Sequence, residues 1–391
     1  MQKTNECLQI LNFISNFADV MAGLYIHIPF CKSRCIYCGF YSTTAIAMRQ
    51  HYVDAVCKEC SMRRQELAQP VTTIYIGGGT PSQLTARQLQ QLFSHVARQC
   101  SHSASQEITI EVNPDDVDEA FAEALAELPV NRVSMGAQTF DNHRLRFLHR
   151  RHTAEQVPQA VRLLRQAGIR NISVDLMYGF PGETIDDWLH DIGQALSLHV
   201  EHLSAYCLII EEGTALYHQM RNDNEEMGNE ELERQMYEVL TDRLAAAGYE
   251  HYEISNFARP GYRSRHNSSY WQDVPYIGLG AAAHSYDGKC RSWNVADIRQ
   301  YIEAIGRGER PFEQETIDDN THYNDRIATA LRTSDGLLLT TLADRHRRYC
   351  LREAQPFLAD GLLRLTDDNR LILTRSGLFV SDMIMSALMW V

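Results

Sequence analysis

The sequence predicts an α/β protein in which a parallel β-sheet precedes a smaller, mainly helical domain. Three observations support this prediction. The chain has 391 residues, which exceeds one average domain. Short β-rich runs alternate with helix-like stretches up to about residue 250, and such alternation indicates βαβ units with a parallel sheet. Residues 311–391 then show a different pattern, with helix-like stretches followed by a hairpin signal.

Six β-rich runs predict the strands of the sheet. They are residues 24–28, 72–76, 107–112, 132–135, 171–177 and 202–208. Helical patterns between and after them predict helices at 86–99, 117–128, 154–167, 185–198 and 230–247. Gly168 and Gly248 follow two of these helices as C-terminal caps, and Pro129 ends a third.

The predicted elements divide the chain into four segments. These are an N-terminal extension (1–22), the α/β barrel (23–250), a connecting segment (251–310) and a C-terminal helical domain (311–391). In the last segment, helices are expected at 324–332 and 341–349. The runs 362–365 and 371–373 flank Asp-Asp-Asn, which predicts a hairpin and hence a winged-helix-like domain.

Composition excludes several classes of function. The chain has 37 Lys and Arg against 50 Asp and Glu, a net charge of −13, which disfavours a general binder of nucleic-acid phosphates. No run of apolar residues is long enough to span a membrane. Residues 8–20 are interrupted by Asn12, Asn16 and Asp19, so we expect no secretory signal and a cytoplasmic protein. Met21, just before the first strand, is a hypothetical alternative translation start.

Three cysteines, Cys31, Cys35 and Cys38, follow the first predicted strand within eight residues. In a cytosolic protein such a cluster of thiols favours a metal over a disulfide. Three thiolates on one loop can ligate three irons of a [4Fe-4S] cluster, whereas electron-transfer clusters use four. Because positions 39–41 contain no cysteine, the fourth iron would be open to the amine and carboxylate of an amino acid.

Two other interpretations of these cysteines stay open. A three-cysteine zinc site could be completed by His27 or His51, and a distant cysteine could complete an ordinary ferredoxin-like centre. A second pair with two-residue spacing, Cys57 and Cys60, lies in a helix-like run without a nearby partner, so a structural role is favoured there.

Polar and glycine residues collect at the ends of several predicted strands. The second strand ends in Gly-Gly-Gly-Thr-Pro at 77–81, and consecutive glycines let a ligand approach the backbone closely. Glu111, Gln138 and Asp175 lie at or near the ends of later strands. The carboxyl ends of strands in a βα barrel gather at one mouth, so these residues predict one ligand site.

The cysteine motif resembles the cluster signature of the radical S-adenosylmethionine (radical SAM) superfamily. The resemblance narrows to the oxygen-independent coproporphyrinogen III oxidase family. Four blocks are similar to that family and occur in its order: residues 25–31, 77–81, 135–140 and 175–182. The resemblance extends from about residue 24 to the C-terminus and implies a partial (βα)6 TIM-like barrel.

This resemblance also implies a set of site residues. Cys31, Cys35 and Cys38 would hold the cluster. The positions that would bind S-adenosylmethionine are Tyr25, Gly78, Gly79, Thr80, Glu111, Gln138, Arg150 and Asp175. Carboxylates can accept hydrogen bonds from ribose hydroxyls, and an arginine can pair with the ligand's carboxylate as a fork. Taken alone, Arg150 in its His-Arg-Arg-His run would be expected at a solvated helix end.

Two features separate the branches of the family. The oxidase branch has a further cysteine where this chain has Phe40, and a longer segment before the cluster. The run His266-Asn267-Ser-Ser-Tyr270-Trp271 is instead similar to the mark of a heme chaperone branch. An imidazole beside aromatic rings suits heme, so His266 is a candidate heme ligand. Taken alone, it would be a hydrogen-bonded structural histidine.

The resemblance implies a heme chaperone that carries a [4Fe-4S] cluster and S-adenosylmethionine and passes heme to an acceptor hemoprotein of unknown identity. The enzyme alternative is oxygen-independent coproporphyrinogen III dehydrogenation, or another radical reaction on a tetrapyrrole such as methylation. A plain iron–sulfur electron carrier is a third class. We expect no nucleic-acid partner and no integral membrane segment, and homodimer formation stays open.

Overall fold

The computed structural model describes residues 23–223 and 229–391. The predicted N-terminal extension, 1–22, and the alternative start at Met21 lie outside these residues. The six predicted strands are present as β1 (Gly23–Ile28), β2 (Pro70–Gly78), β3 (Ser101–Val112), β4 (Arg132–Gln138), β5 (Asn171–Tyr178) and β6 (His202–Cys207). They pair in parallel and in chain order from β1 to β6. The predicted α/β class is confirmed.

Helices connect these strands. They are α1 (Arg49–Met62), α2 (Ala86–Gln99), α3 (Glu119–Ala126), α4 (Asn142–Phe147), α5 (Gln156–Gln166), α6 (Ile185–Ser197), α7 (Ala215–Asp223) and α8 (Glu230–Ala246). Local chemistry sets their starts: Thr85 and Gln88 form a capping box before α2. Asp118 caps α3, so that helix begins two residues later than its predicted start. The apolar faces of α1, α2, α3, α5, α6 and α8 pack onto the sheet in one large core. Helix α7 instead contributes Leu216 and Met220 to a smaller cluster.

The segment predicted as a connector adds to the same sheet. The elements between residues 250 and 316 are β7 (Glu250–Glu253), β8 (Asn256–Ala258), α9 (Arg265–Trp271), β9 (Tyr276–Leu279), β10 (His284–Tyr286), β11 (Cys290–Asn294), α10 (Ile298–Arg307) and β12 (Phe312–Thr316). Within the described residues the sheet has twelve strands, in the order β12-β11-β10-β9-β1-β2-β3-β4-β5-β6-β8-β7. Strand β9 runs parallel to β1, so it extends the parallel set at the side away from β6.

The C-terminal residues form a second, smaller core. Its elements are α11 (Asp319–Ala330), β13 (Leu337–Leu338), α12 (Asp344–Ala359), β14 (Leu363–Leu365), β15 (Arg370–Leu373), α13 (Arg375–Leu378) and α14 (Ser381–Leu388). The hairpin of β14 and β15 forms where the sequence predicts it. The second core begins at Tyr323, whereas β12 pairs with β11 in the main sheet. The main sheet therefore extends past residue 311. No helix in the described ranges combines the length and apolarity that crossing a bilayer requires.

The Cys57–Cys60 pair belongs to the core rather than to a metal site. Both side chains are buried in α1, and no convergent group of potential metal ligands exists in the described residues. Between them, the fully buried Glu59 accepts hydrogen bonds from the Gly280 amide at 2.9 Å and from the Tyr301 hydroxyl at 2.6 Å. Asn294 donates a third at 2.8 Å. Glu59 therefore ties α1 to the later strands of the sheet.

We expect Glu59→Ala to lower the free energy of unfolding by about 3–5 kcal/mol. The substitution leaves several buried hydrogen-bond donors without an acceptor, and it removes the carboxylate that pairs with Arg63 and Arg310. Urea unfolding followed by circular dichroism measures the loss. Glu66→Ala is a matched control, since that carboxylate is half exposed and also pairs with Arg63. A loss for Glu59→Ala no larger than that for the control would contradict this account of Glu59.

Candidate functional site

One cavity of about 430 Å³ lies at the carboxyl ends of the parallel strands. The sequence-predicted residues on its wall are Cys31, Cys35, Cys38, Gly78, Gly79, Thr80, Glu111, Gln138, Arg150 and Asp175. The structure thus brings together all the predicted site residues except Tyr25 and His266. They come from five strands or the loops that follow them, as expected for the mouth of a parallel barrel.

The cysteine loop follows β1 and is closed at its base by backbone pairing. The Cys31 amide donates to the Thr43 carbonyl at 2.9 Å, and the Thr43 amide donates to the Pro29 carbonyl at 2.7 Å. Farther along, the Ile36 amide donates to the Leu148 carbonyl at 3.3 Å. These bonds hold the three thiols at the cavity wall, where the Cys31 Sγ lies 3.5 Å from the Thr80 hydroxyl.

Neither histidine that could complete a zinc site with the three thiols lines their cavity. In the described part of the chain, no three His, Cys, Asp or Glu side chains converge on one ion position, as mononuclear zinc would require. His27 is buried, and its two ring nitrogens contact Tyr25 and Tyr41, while His51 is exposed on α1. A cubane instead takes each thiolate on a different iron.

Arg150 is not at a solvated helix end. Its guanidinium donates to Asn113 Oδ1 at 2.7 Å and to the Gly136 carbonyl at 2.6 Å, and lies 3.6 Å from the Cys35 Sγ. The Nε of Arg150 is buried without a partner among the described residues. A buried cation with an unused donor beside the cysteine loop suits a carboxylate ligand.

Two of the cavity's three carboxylates, Glu111 and Asp175, lie on neighbouring parts of the wall. Glu111 accepts from the Tyr75 hydroxyl at 2.7 Å and from the Gly78 amide at 3.0 Å. Asp175 lies 3.3 Å from the Ser134 hydroxyl. Burial raises the pKa of Asp175 and raises that of Glu111 to about 7. Both side chains retain acceptor capacity for hydroxyl donors of a ligand.

Tyr25 lies beneath the cavity rather than on its wall. Its hydroxyl contacts His27 Nδ1 at 3.0 Å, and its ring stacks on Tyr75 with centroids 6.2 Å apart. Tyr75 in turn donates to Glu111. Tyr25 therefore contacts the site residues from the barrel interior and stays a prediction as a ligand-binding residue.

His266 is also in the barrel interior. It is 1% exposed, its Nδ1 contacts the Thr73 hydroxyl at 2.8 Å, and its Nε2 contacts the Tyr270 hydroxyl at 2.8 Å. Burial lowers its pKa to about 3. With both nitrogens hydrogen-bonded, this conformation presents no free imidazole nitrogen to iron. The side chain has the arrangement of a structural histidine, and heme ligation by His266 stays a prediction.

Arg132 and Cys207 are among the groups on the cavity wall that sequence reasoning missed. Arg132 is 1% exposed, and its Nε and Nη1 have no partner among the described residues. Its position in β4, two residues before the inward-facing Ser134, is a signal that strand periodicity could have supplied. Cys207, at the end of β6, also lines the cavity. Because it lines the same cavity as the three thiols of the loop, Cys207 is the described cysteine to test as a fourth ligand of the cluster.

Comparisons with known proteins find relatives over most of the chain. Residues 25–195 match the model of the radical SAM superfamily. The chain is 35% identical to a heme chaperone HemW of Lactococcus lactis over 83% of this chain and 84% of that protein. It is 36% identical to the heme chaperone HemW of Bacillus subtilis, over 84% and 88% respectively. These matches confirm the resemblance predicted from the motifs.

A solved structure shares the fold. Coproporphyrinogen III oxidase (HemN) from Escherichia coli, a radical SAM enzyme, matches 97% of this chain and 92% of that chain with a TM-score of 0.83 and 21% identity. The likeness supports the predicted partial barrel with its C-terminal helical region.

Proposed function

Because this chain belongs to the heme chaperone HemW family of radical SAM proteins, we propose that it binds heme and delivers it to an acceptor hemoprotein. We further propose that it does so with a [4Fe-4S] cluster and S-adenosylmethionine. The observation that carries the cofactor proposal is the single cavity in which three thiols of one loop meet Arg150, Glu111 and Asp175. All nine described cysteines are free, which fits a reducing cytoplasm.

We assign the site residues by their chemistry. Three irons of the cluster would each be ligated by one thiolate, from Cys31, Cys35 and Cys38. When the cluster is bound, its fourth iron would be open to a ligand from outside the protein. Arg150 would pair with the carboxylate of S-adenosylmethionine through its free Nε. Glu111 would accept hydrogen bonds from the ribose.

The remaining cavity assignments concern positioning of the ligand. Asp175 and Glu111 would both accept hydrogen bonds from the ribose hydroxyls. The side-chain amide of Gln138 would donate or accept a hydrogen bond. Gly78, Gly79 and Thr80 would line the methionine end. A Cβ at position 79 would lie 2.7 Å from the Pro29 carbonyl carbon. Only glycine therefore allows the backbone to pass this close to the residues that precede the cysteine loop.

The residue at position 40 favours heme transfer over tetrapyrrole decarboxylation. Phe40 stands where the oxidase branch would have its further cysteine, and its side chain is 72% exposed at the cavity wall. No thiol is therefore available at that position for cluster or substrate.

The test compares the two activities on one preparation. We expect anaerobically reconstituted protein to bind hemin and pass it to an apo-hemoprotein such as apomyoglobin, measured by the Soret band of the product. The same preparation, given coproporphyrinogen III, S-adenosylmethionine and a reductant, should release no carbon dioxide. Formation of protoporphyrinogen without stable heme binding would overturn the proposal and support the dehydrogenase.

The raised pKa of Glu111 predicts a pH dependence. Below about pH 7 the carboxyl is protonated, and above it the carboxylate accepts ribose hydroxyls and attracts the sulfonium charge. Tyr75, Asp175 and Arg132 face this group and contribute to its pKa. We expect the affinity for S-adenosylmethionine to rise by up to about tenfold from pH 6 to pH 8, as ionisation of one carboxyl allows. Equilibrium dialysis measures it.

Glu111→Gln is the matched control for this pH dependence. Its amide cannot ionise in this range, so the variant should bind S-adenosylmethionine with a nearly flat pH profile. A profile as steep as that of the unchanged protein would assign the titration to another group.

A further inference from the structure

Helix α9 contributes one side chain to the wall of the cavity beside the cysteine loop. Asn267, its third residue, lines this cavity together with the three thiols. Of the described residues on the wall, it alone comes from outside the six parallel strands and the loops between and after them. Its neighbour His266 fixes the helix at the barrel, because the His266 amide donates to Glu107 Oε1 at 3.1 Å and the ring Nδ1 contacts the Thr73 hydroxyl at 2.8 Å. The His-Asn-x-x-Tyr-Trp motif therefore reaches the same cavity as the cysteines.

The side-chain amide of Asn267 has no partner among the described residues. Its backbone amide donates to the Ser264 hydroxyl at 3.4 Å as part of the helix cap, whereas no described residue bonds to the side-chain oxygen or nitrogen. A free carboxamide presents an acceptor and two donors side by side. Such a group can accept from the amine of adenine and donate to the neighbouring ring nitrogen at the same time. The Asn267 side chain is thus suited to a nucleobase.

Arg132 is a further group with unused capacity at this cavity. Its Nε and Nη1 are buried without a partner, and it forms no ion pair with a described carboxylate. The strand register places it opposite Thr109 of β3, whose buried hydroxyl also lacks a partner within the described part of the chain. Burying a cation and polar groups without partners costs free energy. A ligand that supplies the missing acceptors would offset this cost.

The register of β4 orders these groups along the cavity. The Gly136 carbonyl accepts from Arg150 at the cysteine end, and Ser134 lies opposite Glu111 of β3. Arg132 lies one inward position deeper than Ser134, so its Cα is about 13 Å from that of Gly136. The cavity thus has one arginine at the cysteine loop, carboxylates in the middle and a second arginine at its floor.

Helix α9 brings Asn267 to the same floor. Thr73 and Glu107, which hold His266, are directly paired positions on β2 and β3. They lie one inward position deeper than the row of paired residues that contains Arg132. Asn267 therefore enters the cavity from the side of the floor, where Arg132 lies.

We propose that Arg132 and Asn267 form a subsite for the adenine base of S-adenosylmethionine at the floor of the cavity. The carboxylates of Glu111 and Asp175 in the rows above disfavour an anion there, whereas an uncharged purine offers ring nitrogens and one amine to the two side chains. The order of the groups then matches the ligand, with Arg150 for its carboxylate, the two carboxylates for the ribose and this subsite for the base. The inference rests on the proposed function and adds the recognition of the nucleoside.

Equilibrium dialysis of the two halves of the ligand tests the assignment. Full-length, anaerobically reconstituted protein is equilibrated at pH 8 with labelled 5′-deoxyadenosine or with labelled methionine. We expect Asn267→Ala and Arg132→Lys each to weaken 5′-deoxyadenosine binding by about tenfold and to leave methionine binding unchanged, because each removes hydrogen bonds to the base only. Lysine keeps the positive charge of the side chain but lacks the planar donors. Ser268→Ala, at the next position of α9 and outside the cavity wall, is the matched control.

The identity of the base gives a readout that a merely structural role would not change. The unchanged protein should bind 5′-deoxyadenosine about tenfold more tightly than the analogue without the 6-amino group, since that amine donates to the Asn267 amide. Asn267→Ala should bind the two nucleosides equally, and Ser268→Ala should keep the preference. Iron content and far-ultraviolet circular dichroism, measured on the same samples, should not change.

Failure of the proposed function and failure of this assignment are distinguishable. If the unchanged protein binds neither S-adenosylmethionine nor 5′-deoxyadenosine, the proposed use of the cofactor fails. If it binds both, and either Asn267→Ala or Arg132→Lys binds 5′-deoxyadenosine as tightly as Ser268→Ala, only the adenine subsite as assigned is overturned. Equal weakening of nucleoside and methionine binding, or loss of iron from these variants, would show a structural role and would also overturn it.

Discussion

Cys35→Ala is expected to abolish the iron–sulfur cluster. The iron content measured after anaerobic reconstitution should fall from about four irons per chain to near zero, and the sulfide content should fall with it. The reason is that two thiolates on the loop cannot retain a cubane. Cys35 lies at the centre of the cysteine loop, and its Sγ is contacted by Arg150. The visible absorption of the cluster should disappear together with the iron, while the far-ultraviolet circular dichroism of the fold should stay.

Cys57→Ala is the matched control for this loss. That thiol is buried in α1 and is not among the residues that line the cavity, so its removal should leave the iron content unchanged. A Cys35→Ala protein that keeps a full iron complement would show that the ligand assignment is wrong.

Asp175→Ala is expected to weaken S-adenosylmethionine binding about ten- to a hundredfold without loss of iron. A hydrogen bond to a charged group contributes about 1.5–3 kcal/mol, and each 1.4 kcal/mol corresponds to about tenfold in affinity. Asp175 lines the cavity and takes no part in the cysteine loop. Binding is measured by equilibrium dialysis on reconstituted protein, with iron determined on the same samples.

Asp186→Ala, an exposed carboxylate in the first turn of α6, is the matched control. It should bind S-adenosylmethionine like the unchanged protein. Equal affinity of Asp175→Ala and this control would remove Asp175 from the site, whereas parallel loss of iron would indicate a structural role instead.

Local patterns predicted the elements that position the site. The alternation of strands and helices predicted the six strands of a parallel sheet, and glycine or polar residues at their ends identified part of the cavity wall. The sequence did not reveal β9 as a neighbour of β1. Tyr276–Leu279 is a short run, and its pairing joins residues about 250 positions apart in the chain. Such pairing is decided by tertiary packing rather than by local pattern.

The sequence also did not predict how the side chains within a motif are oriented. The His-Asn-x-x-Tyr-Trp motif forms one short helix, and its residues face different environments. His266 points into the barrel, Asn267 reaches the cysteine cavity, and Trp271 lines a separate cavity beside helix α11. Which helical face meets the barrel depends on contacts with Thr73 and Glu107, which are distant in sequence.

The most direct test is electron paramagnetic resonance of the reduced, reconstituted protein before and after addition of S-adenosylmethionine. If three thiolates leave one iron open, the cluster signal should change on addition, and Cys207→Ser should show the same change with about four irons per chain. A signal that ignores S-adenosylmethionine, or iron that disappears in Cys207→Ser, would mean that a fourth protein ligand fills the cluster and would contradict the account.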